Sequence, residues 1–242
     1  MRFRISFAKE AFCAWRTNNG WRYSPLHLYG RLWNSTFDWI HGVDTRTMAD
    51  LPALTIGSRN KPLGEAYEGS PVFSFRRLLR RLDIPCQDYA FVDFGSGKGR
   101  TLLLAGELPF KQVIGVEFSA ELNHLAARNI SRYRRRKAQR VATLHCDATE
   151  FALPDENLVL YFFNPFKAEV LDKVLANISA SLAHRPRKVI LVYLNLRAPD
   201  LLGKLGGGWT LETWHRYRIY TCTPRSRHSR LAADMAEPAC VS

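Results

Sequence analysis

Short apolar runs alternate along this chain with stretches whose apolar residues recur every three or four positions. The runs at 91–94, 112–117, 141–146, 158–163 and 189–194 are rich in β-branched and aromatic residues and too short for buried helices, so each predicts a strand. Residues 71–84 place Phe75, Leu78, Leu79 and Leu82 on one helical face and Arg76, Arg77, Arg80 and Arg81 on the other. A second helix is predicted over 120–131 behind the capping residue Ser119. The most regular stripe, Val170, Leu171, Val174, Leu175, Ile178 and Leu182, predicts a third after residue 166. Strands and helices taking turns, with closing strands inside 209–222, predict an α/β fold built on a doubly wound seven-strand sheet.

The flanks read differently. Residues 1–60 mix polar positions with Trp15, Trp21, Trp33, Phe37, Trp39 and Ile40, too aromatic for simple disorder, and are expected to form a mainly helical N-terminal extension. Residues 61–223 are expected to form one domain. From 224 to 242 the chain is rich in Arg, Ser and Ala without a period, as a flexible tail would be.

The first strand runs into Asp93-Phe94-Gly95-Ser96-Gly97-Lys98-Gly99-Arg100. Three glycines on alternate positions after a strand let backbone approach a nucleotide-like ligand closely. The dinucleotide fingerprint needs its third glycine where Arg100 stands, and a P-loop needs a hydroxyl residue where Gly99 stands, so both are excluded. The next strand ends in Glu117, where a βαβ unit puts a carboxylate able to accept two ribose hydroxyls. The third ends just before Asp147. The fourth leads into Asn164-Pro165-Phe166, at the strand end where open α/β sheets hold ligands. A side-chain amide oxygen there can orient an amine by its N–H groups, and an aromatic face can stack on a planar acceptor or cover a cation.

The five cysteines are scattered without metal spacing, which points to a reducing compartment and no metal site. Met1–Trp15 lacks a signal-peptide core and no run is long enough to span a bilayer, so the expected location is cytoplasmic. The formal net charge of +13 raises a contact with RNA or another polyanion through Arg132, Arg134, Arg135 and Arg136, with Tyr133 interleaved. A non-catalytic nucleic-acid-binding protein is the alternative that this charge keeps open.

The glycine loop, the spaced acids and Asn164-Pro165-Phe166 together resemble motifs I to IV of the class I S-adenosylmethionine-dependent methyltransferases, with their Rossmann-like seven-strand sheet. Within that class, Tyr67-Glu68 and the segments 91–100, 113–119 and 160–166 look closest to a bacterial branch similar to the non-SET histone-lysine methyltransferases, and Phe37-Asp38 with 41–45 is familiar from uncharacterised members. The resemblance implies S-adenosylmethionine as cofactor. It implies Asp93 near the methionine ammonium group, Gly95, Gly97 and Gly99 around the methionine part, Glu117 on the ribose, Asp147 with Ala148 on the adenine edge, and Tyr67 and Glu68 lining the pocket. Asn164, Pro165 and Phe166 would hold the acceptor, although the single proline departs from the two-proline form of the motif.

The expected acceptor is an amine, protein lysine first, with an RNA base or a small molecule as alternatives. A lysine amine, with a pKa near 10.4, must lose a proton on entering an apolar slot, which Tyr161, Phe162, Phe163 and Phe166 are placed to build. An oxygen acceptor would want a base, and His145, the histidine near a strand tip, is expected instead to pack in or beside the sheet. Cys146 is expected to be core. An aminopropyltransferase shares the sheet but fits neither the positive charge nor the Asn-Pro-Phe turn.

Overall fold

The computed structural model describes residues 36–46, 60–63, 69–196 and 201–224. Its strands are β1 (Tyr89–Phe94), β2 (Gln112–Glu117), β3 (Val141–His145), β4 (Asn157–Phe162), β5 (Val189–Leu194), β6 (Trp209–Trp214) and β7 (Tyr217–Cys222), in one sheet of order β3-β2-β1-β4-β5-β7-β6. Neighbours from β3 to β5 are parallel, and β7 pairs antiparallel with both β5 and β6. The helices are α1 (Val72–Arg81), α2 (Arg100–Ala105), α3 (Ala120–Arg132), α4 (Ala168–His184) and α5 (Leu202–Leu205). The predicted doubly wound sheet is therefore the observed one.

The central strands explain why their sequences, Asp93 apart, are apolar rather than alternating: β1 and β5 are buried at every position, on both faces. One face packs Phe75 of α1, Phe91, Leu102 of α2 and Tyr161. The other packs Phe94, Phe162 and Tyr193 against Val170, Leu171 and Val174 of α4. Phe162 stacks between Phe94 and Tyr193, with ring centroids at 4.9 and 5.6 Å.

Helix α1 ends short of the predicted residue 84. Leu82 closes it, Asp83 turns to φ 44°, and Ile84 is kept from helical geometry by Pro85. Of the N-terminal extension, residues 36–46, with a helical turn at 36–41, and Asn60 are described; the 3-10 turn Lys61–Leu63 follows it, and the tail beyond residue 224 lies outside the described residues. No described helix is long and apolar enough to cross a membrane.

Candidate active site at the carboxyl ends of the central strands

Strand order reverses between β1 and β4, the place where open α/β sheets leave a crevice beyond their carboxyl ends. The crevice here spans about 360 Å³, the solvent at its open mouth included. Its floor is Gly95 and Val116, one wall is Phe118, Cys146, Asp147 and Ala148, and the other is Pro165, Phe166 and Val170, with Asn60 reaching in from the N-terminal extension.

The glycine loop is held down by the neighbouring strand. Gly95 and Ser96 donate their amides to the Val116 carbonyl at 2.9 and 3.2 Å, and Gly99 N–H closes a turn on Ser96 at 2.8 Å before opening α2 at φ 80°. Gly95 adopts φ 76°, and a Cβ there would lie 2.5 Å from the Pro165 Cβ. The loop after β1 thus touches the turn after β4 only because residue 95 has no side chain. Gly115 serves the same end from below, since a Cβ on it would meet Ser96 Oγ at 2.5 Å.

Glu117 lies under this loop, 3% exposed, accepting the Gly97 amide at 2.8 Å and the Ser119 amide at 2.9 Å. The carboxylate therefore joins the glycine loop to the start of α3. Burial pushes its pKa up to about 6 against the pull of those amides. Asp93 is as buried and accepts a hydrogen bond from the Thr101 hydroxyl of α2. Burial raises it to about 7, with Thr101 pulling down and Glu117 adding to the rise. Asp147 lies two residues past the end of β3 on the crevice wall. Its Oδ1 accepts from the Thr149 amide and hydroxyl at 2.9 and 2.8 Å, and its Oδ2 accepts from Asn60 Nδ2 at 2.8 Å.

At the end of β4, Asn164 is half-buried and takes φ 45°, a conformation that costs a non-glycine residue energy and collects at functional sites. Among the described residues its side-chain amide makes no hydrogen bond, and Pro165 and Phe166 beside it line the crevice.

Some sequence expectations need correction. Of the four aromatics expected to form an acceptor slot, Phe166 alone lines the crevice: Tyr161 is buried with its hydroxyl 3.0 Å from Ser70 Oγ, Phe162 is in the opposite core layer, and Phe163 packs against the first. A strand covered on both faces has no side to spare. His145 ends β3 in the sheet, in register with Glu117, but its side chain is exposed, with Nε2 3.1 Å from the Phe118 carbonyl. Cys146 is half-buried and lines the crevice, its thiol pKa raised by burial and by Glu150 and Asp147. Tyr133 is not interleaved on the basic surface but buried, with its hydroxyl bonded to Glu107. Tyr67 and Glu68 lie outside the described residues.

Sequence reasoning missed a clasp between the N-terminal segment and the glycine loop. Arg100, 3% exposed at the start of α2, donates Nε to Thr45 Oγ1 at 2.7 Å, and Asp38 accepts the Thr45 amide and hydroxyl at 2.7 and 2.5 Å. Lys98 Nζ meets both Asp44 oxygens at 3.1 Å. Asn129 of α3, fully buried, accepts the Asp44 amide at 3.0 Å and donates to the Asp44 and Lys98 carbonyls at 2.8 and 2.9 Å. A signal existed: Asn129 continues the buried stripe of Leu122 and Ala126, and a polar residue on an apolar stripe needs a partner.

The residues present fit a nucleoside-bearing ligand. Val116, Phe118, Phe166 and Val170 offer apolar walls to a planar base, Asp147 adds a carboxylate to one wall, and Gly95 lets Pro165 close against the glycine loop.

Residues 91–185 match the family model described as a methyltransferase domain. No curated protein matches the chain. Similar solved structures include a ribosomal protein L11 methylase from Lactobacillus delbrueckii subsp. bulgaricus, 16% identical, covering 68% of this chain and 83% of that one at a TM-score of 0.46. An RNA methyltransferase from Salinibacter ruber, in complex with S-adenosyl-L-homocysteine, is 21% identical and covers 65% of this chain and 94% of that one at a TM-score of 0.44. The matched residues run from β1 through the glycine loop and the Asn164 turn to the end of α4, so most of the elements that build the crevice lie within the stretch that matches a methyltransferase domain.

Proposed function

We propose that this enzyme methylates a nitrogen held by Asn164, and that the nitrogen is a nucleobase amine of RNA. The observation that carries the reading is the strained Asn164, φ 45°, next in sequence to the crevice-lining Pro165 and Phe166, with its side-chain amide free of hydrogen bonds among the described residues. Bound S-adenosylmethionine supplies an electrophilic methyl group on a sulfonium. Asp147 and Ala148 would meet its adenine edge, Glu117 its ribose and Asp93 its ammonium group, with Gly95, Gly97 and Gly99 leaving room for the methionine part. Asn164 Oδ1 would accept an acceptor N–H and so aim the nitrogen lone pair, while Phe166 would stack on its ring.

A nucleobase amine is neutral at pH 7, so its nitrogen needs no prior deprotonation. Protein lysine, the acceptor put first by resemblance, needs that deprotonation and an apolar slot. With Tyr161, Phe162 and Phe163 packed on the core, Phe166 is the one of the four expected slot aromatics that lines the crevice.

The test is transfer of labelled methyl from S-adenosylmethionine into a cell lysate, separated into RNA, protein and small molecules. Label is expected in RNA, and Asn164→Ala is expected to lower transfer by about a hundredfold while leaving donor affinity within a few-fold. Label confined to protein would instead restore lysine, and an undiminished rate in the Asn164 variant would remove that residue from acceptor positioning.

A further inference from the structure

We infer that the loop joining α3 to β3, with the helical turn 36–41 that packs on it, is a docking surface for single-stranded RNA; this rests on the nucleobase-acceptor reading. Arg132, Arg134, Arg135, Arg136, Lys137 and Arg140 are all exposed. Among the described residues none of these six side chains has a hydrogen bond or ion pair, whereas Arg76, Arg81 and Arg185 are paired with Glu107, Glu212 and Asp155. Six positive charges of a chain with a net charge of +13 are thus gathered where none of the described carboxylates pairs with them.

The array is built on a fixed backbone. Lys137 and Ala138 donate their amides to the Gly106 carbonyl at 2.7 and 3.1 Å, and Gln139 donates to Phe110 at 3.1 Å. Tyr133 and Ala138 are buried between the cations, and Tyr133 is anchored by Glu107. A loop tied down in this way holds its charges in place without a further ordering cost when phosphates bind. Arginine predominates, and its planar fork matches phosphate oxygens.

An aromatic platform adjoins it. The His41 ring meets the rings of Tyr133 and Phe37 at 4.8 Å each, which sets the helical turn 36–41 against the loop and leaves Trp39 on that turn 84% exposed. Arg135 is close enough to His41 to help lower its pKa, after burial as the larger cause. An exposed indole on the helical turn that packs against this loop suits base stacking by a strand that runs on past the arginines. A membrane surface would call for a broad apolar face, and here Ile40 is the one further exposed large apolar residue on that turn.

The loop packs on Gly106 and Phe110 at the amino end of the sheet, whereas the crevice opens at the carboxyl end. The strand between them, six residues long in β2, spans about 20 Å. A ligand touching both places must therefore be a chain of several nucleotides, not a mononucleotide.

The test uses the full chain and a fluorescein-labelled 20-nucleotide single-stranded RNA of mixed sequence, with anisotropy read across a salt series. The triple variant R134E/R135E/R136E is expected to bind at least tenfold more weakly and to lose about 2 from the slope of log Kd against log salt, three phosphate contacts at about 0.7 each. Trp39→Ala is expected to weaken binding by about fivefold or more through lost stacking. The control K173E/K204E/R216E, with the same change in charge, is expected to stay within threefold. On the unaltered chain, hydrogen exchange across 132–140 is expected to slow when RNA is added.

Equal losses in the triple variant and the control would overturn the docking surface. So would absent RNA binding, or binding to phosphatidylserine–phosphatidylcholine vesicles in its place. S-adenosylmethionine binding, titrated on the same proteins, separates the two readings. If it persists while RNA binding fails, the docking surface falls and the methyltransferase stands; if it fails, the methyltransferase reading falls.

Discussion

Replacing Glu117 by Ala separates what this carboxylate does for the fold from what it does for the ligand. In the ligand-free protein it accepts two buried amides, from Gly97 and Ser119. Alanine leaves both without an acceptor, at about 1–3 kcal/mol each, so a loss of about 2–6 kcal/mol of stability is expected. Glu117→Gln retains one accepting oxygen and turns a donor toward the other amide, so it should also destabilise, but by about half as much. Urea unfolding at pH 7.5 measures both, and against a total of about 5–15 kcal/mol the alanine variant should unfold at visibly lower urea. S-adenosylmethionine affinity should fall by a further 1.5–3 kcal/mol, roughly tenfold to a hundred-and-fiftyfold, the scale of charge-assisted bonds to ribose hydroxyls. Unfolding free energies within about 0.5 kcal/mol of each other would refute the role of Glu117 in pinning the glycine loop, whatever happened to binding.

Gly95→Ala should weaken S-adenosylmethionine binding more than tenfold, because φ 76° costs a side chain about 1–2 kcal/mol and the new Cβ would push Pro165 away; affinity within twofold of the parent would contradict the contact. Ligand-free stability should fall as pH rises. Asp93 at about 7 and Glu117 at about 6 keep protons in the folded state that the unfolded chain, at ordinary carboxyl values, has already released. The stability that Asp93 contributes at low pH, on the order of 4 kcal/mol, is thus lost between about pH 4 and 7. Denaturant melts of the parent and of Asp93→Asn across pH 4.5–8 should show that decline in the parent and a flatter curve in the variant, and parallel curves would show Asp93 ionised throughout. For the same reason, affinity for the cationic donor should rise from pH 5.5 to 7.5 in the parent.

The central strands were legible because they are covered on both faces, so burial writes nearly continuous apolar runs: 189–194 coincides with β5 residue for residue, and 112–117, polar only at Gln112 and Glu117, coincides with β2. The crevice was legible where it depends on backbone shape, since glycines on alternate positions and an Asn-Pro exit are local features. What could not be read was direction. Tyr161 and Phe162 look like slot residues until the sheet gives each a helix to face. The clasp of Asp38, Asp44 and Thr45 on Lys98, Arg100 and Asn129 joins residues far apart in sequence, and periodicity carries no information about polar partners. Likewise, the arginine run was visible as charge, but its place at the end of the sheet opposite the crevice follows from topology.

Titration calorimetry of the full chain with S-adenosylmethionine, and then with S-adenosylhomocysteine, tests the enzyme assignment most directly. One molecule of either ligand per chain, bound at micromolar concentration and displacing the other, is the predicted result. A folded protein that gives no heat of binding with either ligand would contradict it.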